Sequence, residues 1–152
     1  MDIQQIIQHL PYSKPFLFVN EITQISEHGA TGNYTFKEEA YFYKGHFKDN
    51  PITPGVILTE AMAQIGVVCL GIYLLKDAIL SNKKPQIALT SHQIDFFLPV
   101  YPNEKIKVVS EKEYFRFNKL KCAVKMYNLK DELVCRGTIS GMIIAKNFSF
   151  LM

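Results

Sequence analysis

The chain has no tryptophan, only three cysteines, and four histidines without metal-ligand spacing. Cys69, Cys122 and Cys135 form no CxxC pair and leave one thiol over in any disulfide scheme. That argues against a disulfide framework and for reduced, buried thiols. His9, His28, His46 and His92 suggest no metal site. Charge of either sign is also scarce: 17 basic against 14 acidic residues leave a net +3. With no nucleic-acid motif present, a nucleic-acid partner is not expected. Internal repeats and low-complexity segments are absent, and the N-terminus carries Asp2 and no basic flank, so no secretory signal is read and a cytoplasmic location is expected.

Apolar residues are plentiful. They make up 48% of 152 positions, including eight Tyr and eleven Phe. This supports one domain over residues 1–152 with an aromatic-rich core. Asp2 to His9 reads as a short amphipathic helix ended by Leu10-Pro11. Phe16 to Ile25 and Ala30 to Phe36 read as strands around the turn Glu27-His28-Gly29. Lys37 to Asn50 reads as a loop with a short helical turn. Thr53-Pro54-Gly55 then opens a helix, with Thr53 as its cap and Pro54 in the first helical position. The helix runs to about Lys76 or Leu80 and is apolar nearly all round, so something must wrap it. Val56 to Leu75 has the length of a membrane span, but Thr59, Glu60 and Gln64 lie inside it, which favours a buried core helix and no membrane span.

After the polar loop Ser81 to Pro85, the chain reads as strands. These are Gln86 to Val100, broken at Pro99, then Lys105 to Tyr114, Leu120 to Tyr127 and Leu133 to Lys146. Leu120, Cys122, Val124 and Met126 alternate with Lys121, Ala123 and Lys125, the period of a half-buried strand. The order predicts an α+β fold: an antiparallel sheet of about six strands wrapped round one long helix. One sheet cannot enclose such a helix fully, so a dimer with sheets joined edge to edge is expected.

The chemistry concentrates between Tyr43 and Gln64. His46 sits in a glycine-containing turn, and Glu60 is a lone carboxylate inside an apolar helix. A lone loop histidine is more often structural than catalytic, whereas a carboxylate on an apolar helix is costly unless paired or used. Together the two provide for proton transfer on an apolar substrate. Gln64 lies one turn after Glu60 and can orient it. Gly55 is at the helix N-terminus, where free backbone N–H groups can hold a carbonyl oxygen that gains negative charge.

Leu10-Pro11, Pro15-Phe16-Leu17-Phe18-Val19, Gly45-His46-Phe47, Pro51 to Val56 and Glu60-Ala61-Met62-Ala63-Gln64 are blocks in which the chain resembles the bacterial 3-hydroxyacyl-[acyl-carrier-protein] dehydratase family. The resemblance runs from about Asp2 to Lys146 and is tightest from Gly45 to Gln64. It implies a hot-dog fold and a homodimer, in some relatives a trimer of dimers, with His46 of one subunit meeting Glu60 of the other. It implies dehydration of 3-hydroxyacyl-acyl-carrier-protein to the trans-2-enoyl product, in fatty acid or polyene/polyketide synthesis. His46 would remove the proton beside the thioester, and Glu60 would help the 3-hydroxyl leave. Gly55 would hold the carbonyl; Val56, Gln64 and Phe47 complete the substrate-binding set, with Gln64 orienting Glu60. No cofactor or metal is implied, because the substrate arrives on the phosphopantetheine arm of acyl carrier protein. Glu rather than Asp at position 60 favours simple dehydration over dehydration with isomerisation. The chain departs from the family pattern at Tyr12-Ser13, Lys48, Ile52-Thr53 and Tyr101 to Glu104, none of which falls on His46, Gly55 or Glu60.

Two other readings stand beside this one. A hot-dog acyl thioesterase would need a carboxylate but not the Gly45-His46-Phe47 block. A non-catalytic acyl-binding partner subunit would not need the complete set. The basic residues Lys105, Lys107, Lys112, Arg116, Lys119, Lys121 and Lys125, with Lys83 and Lys84, read either as a solvated strand face or as a landing patch for an acidic carrier.

Overall fold

Every strand of the sheet runs antiparallel to its neighbours. The computed structural model describes residues 1–81 and 86–144. Its strands are β1 (Glu21–Ser26), β2 (Gly29–Thr35), β3 (Gln86–Phe96), β4 (Lys105–Arg116), β5 (Lys119–Tyr127) and β6 (Leu133–Ile144). They form one sheet in the order β1-β2-β4-β5-β6-β3. The sheet curls round helix α2, Gly55–Leu74, which has the length and apolarity to cross a membrane, yet 83% of its most apolar stretch is buried inside the protein. This is the hot-dog arrangement. Helix α1 (Ile3–Gln8) precedes the sheet, and a short helix α3 (Lys76–Leu80) follows α2.

Alternation builds the cover over the helix. Leu120, Cys122, Val124 and Met126 of β5 are all at most 1% exposed, as are Ile106 and Val108 of β4. They face Ala61, Met62, Ile65, Cys69 and Leu70 of α2, each fully buried. The three cysteines are free and buried. Burial pushes the Cys122 and Cys135 thiols up to about 12, so both stay protonated. At α1, the Asp2 carboxylate accepts from the Gln5 amide N–H while the Gln5 side chain accepts from Asp2 N–H.

The first strand is shorter than the sequence predicts. Phe16 to Asn20 carry strand-forming residues but lie outside β1. The reason is competition for the backbone: Phe18 N–H donates to the Gln64 side-chain oxygen at 2.8 Å, and Phe16 C=O accepts from its amide nitrogen at 2.9 Å. The helix start also differs. Pro54, not Thr53, is the N-cap residue, and the Thr53 hydroxyl bonds the Tyr43 hydroxyl instead. The expected loop Ser81 to Pro85 and the strand end at Ala145 and Lys146 fall largely outside the described residues.

Helix α2 is not regular. Ala63–Val68 forms a π-helical segment between two α-helical stretches. Ser110 of β4 supports it: its buried hydroxyl donates to Gly66 C=O at 2.8 Å and accepts from Ala30 N–H at 3.1 Å. Gly66 is needed for this approach, since a Cβ there would lie 2.9 Å from the Ser110 Cβ. Ser110→Ala removes one acceptor and one donor from a buried site, so it is expected to destabilise the protein by about 1–3 kcal/mol. Urea denaturation measures this directly, and an unchanged midpoint would contradict the assigned role.

Candidate active site

His46 follows the 3₁₀ turn Tyr41–Lys44, in a loop closed by hydrogen bonds on both sides. His46 N–H donates to Phe42 C=O, and Ile52 N–H donates to His46 C=O at 2.8 Å. The ring is fixed as well: Nδ1 lies 2.8 Å from Ile52 C=O. A carbonyl can only accept, so Nδ1 carries the hydrogen and Nε2 keeps its lone pair when the ring is neutral. Phe47 stacks on the imidazole, with centroids 4.0 Å apart. The expected loop histidine is therefore held in one tautomer with one nitrogen available as a base.

The strap from Ile52 to Gly55 leads into α2. Thr53 N–H donates to Val100 C=O at 2.8 Å, which ties the strap to the segment after β3. Pro54 C=O accepts from Ile57 and Leu58 N–H, so the first α-helical turn begins at Gly55 with its own N–H free of intrahelical partners. The Phe96 ring lies over this glycine; a Cβ at Gly55 would sit 3.1 Å from the ring tip. His46, Ile52, Thr53, Gly55, Leu58 and Phe96 to Pro99 line one cleft of about 350 Å³. Two of the site residues read from the sequence, His46 and Gly55, thus share a cavity.

Glu60 does not line that cleft. It is part-buried on the next turn of α2, where its Oε2 accepts from Gln64 Nε2 at 2.9 Å. Burial raises the Glu60 carboxyl above its usual range, and the Gln64 hydrogen bond pulls it partly back. Gln64 itself is 0% exposed, so it holds Glu60 and the Phe16–Phe18 backbone rather than facing open space. Val56, by contrast, is 76% exposed and Phe47 54% exposed in the single chain. Sequence reasoning overlooked Tyr12 as a neighbour of the carboxylate. Its phenol is pushed up to about 12, first by burial and then by the Glu60 charge. The Tyr43–Thr53 contact was also unforeseen.

The arrangement offers a histidine base, a carboxyl held towards its protonated form and a helix N-terminus with free donors. Those are the parts for moving a proton on and off carbon beside a polarised carbonyl. Residues 10–137 match the family model described as a FabA-like domain. The chain is 34% identical over 149 residues to a "3-hydroxyacyl-[acyl-carrier-protein] dehydratase FabZ" from Sinorhizobium medicae, covering 95% of this chain and 91% of the relative. It is 41% identical over 88 residues to the protein of the same name from Acinetobacter baylyi, where the match spans 57% of this chain and only 53% of that relative. In structure it is similar to the dehydratase heterocomplex ApeI:P from Xenorhabdus doucetiae, with a TM-score of 0.79 at 11% identity over 94% of this chain and 93% of that one.

Gln64→Leu tests the carboxylate's environment. It removes the one hydrogen bond that lowers the Glu60 pKa and leaves burial unopposed, so the carboxyl should titrate higher still. A side-chain carbon NMR titration of Glu60 reads the direction, and a fall or no change would contradict it.

Proposed function

The chain belongs to the 3-hydroxyacyl-[acyl-carrier-protein] dehydratase family, and on that footing we propose that it dehydrates 3-hydroxyacyl groups carried by acyl carrier protein, in fatty acid or polyene/polyketide synthesis. The observation that carries this reading is the fixed His46 tautomer in the cleft it shares with Gly55.

In this reading His46 Nε2 takes the proton from the carbon beside the thioester. The Gly55 N–H holds the thioester oxygen as negative charge builds there. The bond from the third carbon to its hydroxyl then breaks, and protonated Glu60 gives the departing hydroxyl its proton, so water leaves and a trans-2-enoyl thioester remains. The raised Glu60 pKa supports the acid role, because it enlarges the protonated fraction. Gln64 is a positioning residue for Glu60, while Phe47 braces the His46 ring and Val56 lines the acyl path. The proton transfers balance without a cofactor or metal.

A homodimer completes the site. Glu60 lies away from the cleft that holds His46, and β3 is an 11-residue edge strand whose residues are mostly exposed. Pairing two β3 edges would cover that edge and bring the exposed Val56 and Phe47 towards a second copy. The carrier would meet the basic β4 and β5 strands, of which Lys107 and Lys121 already have acidic neighbours in Asp131 and Glu113; Lys83 and Lys84 lie outside the described residues. The whole chain, 1–152, acts as one domain in the cytoplasm.

Purified protein with 3-hydroxyacyl-carrier substrate should form the enoyl thioester. His46→Ala and Glu60→Gln should each lower turnover by roughly 10²–10⁴-fold. Full activity in both variants overturns the assignment.

Mixing the two inactive variants tests the shared site. If each site takes His46 from one subunit and Glu60 from the other, half the dimers are mixed and each has one intact site of two. Activity should return to roughly a quarter of wild type. No recovery after confirmed subunit exchange would place both residues of a site in one chain.

A further inference from the structure

We infer that Tyr43 and Thr53 form a latch that positions the His46 imidazole, a role that rests on His46 being the base of the proposed dehydration. The Tyr43 and Thr53 hydroxyls lie 2.6 Å apart, and either can donate. Both side chains are buried, Tyr43 at 5% and Thr53 at 3% exposure. Such a bond inside the protein is strong and expensive to leave half-made. Burial also holds the Tyr43 phenol above its ordinary range, so its proton stays in place at neutral pH.

The latch joins the two chain segments that define the imidazole. Tyr43 stands in the 3₁₀ turn whose Phe42 C=O accepts from His46 N–H. Thr53 follows Ile52, whose C=O holds His46 Nδ1 and whose N–H donates to His46 C=O. Thr53 N–H is anchored independently on Val100 C=O. The strap is thus fixed at Thr53 on two sides, through its backbone and through its hydroxyl. That leaves the Ile52 carbonyl little freedom to swing away from the ring. Thr53 is the residue that the sequence casts as a helix cap, and Pro54 takes that place; the hydroxyl is spent on the latch instead.

The two buried hydroxyls are engaged with each other, so the pair acts through His46. Losing the latch should loosen the ring, lower its share of productive orientations and leave carrier binding untouched. Misplacement of a catalytic group by a fraction of an ångström costs turnover more than affinity.

Tyr43→Phe and Thr53→Val each remove one hydroxyl at nearly constant shape. Each is expected to lower kcat about tenfold with KM held within about twofold. Thr53→Ser keeps the hydroxyl and loses only a methyl group, so it should stay within about threefold of wild type. The double variant Tyr43→Phe with Thr53→Val should be no worse than the poorer single variant, because one bond is lost in all three. Nitrogen NMR of labelled histidine, recorded without substrate, should show His46 moving from the Nδ1–H form towards a mixture of tautomers in both single variants. Wild-type kcat with an unchanged Nδ1–H signature overturns the latch, as does a Thr53→Ser loss equal to that of Thr53→Val. So do losses that multiply in the double variant. The substrate-free spectrum separates the two readings: a wild-type protein without dehydratase activity overturns the function, whereas the tautomer shift still decides the latch.

Discussion

One buried amide governs where the carboxylate stands. The Gln64 side chain accepts from Phe18 N–H, and its nitrogen donates both to Phe16 C=O and to Glu60 Oε2. Its full set of side-chain donors is used. A fully buried amide is tolerated only when its groups are satisfied, and this one is satisfied by drawing three separate parts of the chain together. It takes the Phe16 and Phe18 backbone groups away from strand pairing and pins that segment on the helix. It also fixes the rotamer of a carboxylate that would otherwise have few reasons to remain on an apolar helix. The price of desolvating Glu60 is visible in its raised pKa, and the same amide sets how far that rise goes.

The helix is deformed where it must deliver this amide. Gln64 falls in the π-helical segment Ala63–Val68, where extra residues per turn shift side-chain directions relative to a regular helix. A π-segment leaves backbone carbonyls less well served by the helix itself. Ser110 gives the Gly66 carbonyl a partner and links it to Ala30 of β2. Sheet and helix are thereby coupled by a polar bridge through an otherwise apolar core. The bridge and Gln64 share the π-segment, and Gln64 reaches back from it to Glu60 in the preceding α-helical stretch.

Much of this was legible in the sequence because it rests on periodicity. The two-residue alternation of Leu120 to Met126 and the all-round apolarity after Gly55 translate directly into a buried strand face and a wrapped helix. His46, Glu60 and Gln64 stand out in the sequence for a different reason, as polar groups near apolar stretches; the structure places His46 with Gly55 in one cleft and Gln64 in a hydrogen bond with Glu60. The Gln64–Glu60 contact follows from helical spacing alone. What escaped was decided by partners distant in sequence. Phe16 to Asn20 has strand-forming residues, yet Phe16 C=O and Phe18 N–H bond a side chain 48 and 46 positions away. Thr53 has the chemistry of a cap, yet Tyr43 claims its hydroxyl. Local propensity names what a residue can bond; only the fold decides which partner arrives first.

On the proposed roles, similar constraints bear on why His46 and Glu60 are held apart in one chain. His46 needs a rigid loop, and its rigidity comes from the strap that leads into the helix N-terminus. Glu60 needs a desolvated position one turn further along, where burial can raise its pKa. In the single chain the helix start and the next-turn carboxylate are separated: Gly55 faces the His46 cleft, while Glu60 is held by Gln64. The cleft beside His46 accordingly contains Gly55 and Leu58 but not Glu60. In the proposed dimer, a second copy of the chain would bring another Glu60 to face the first His46. On the proposed reading, a dimer would let an acid and a base that one chain holds apart share a site.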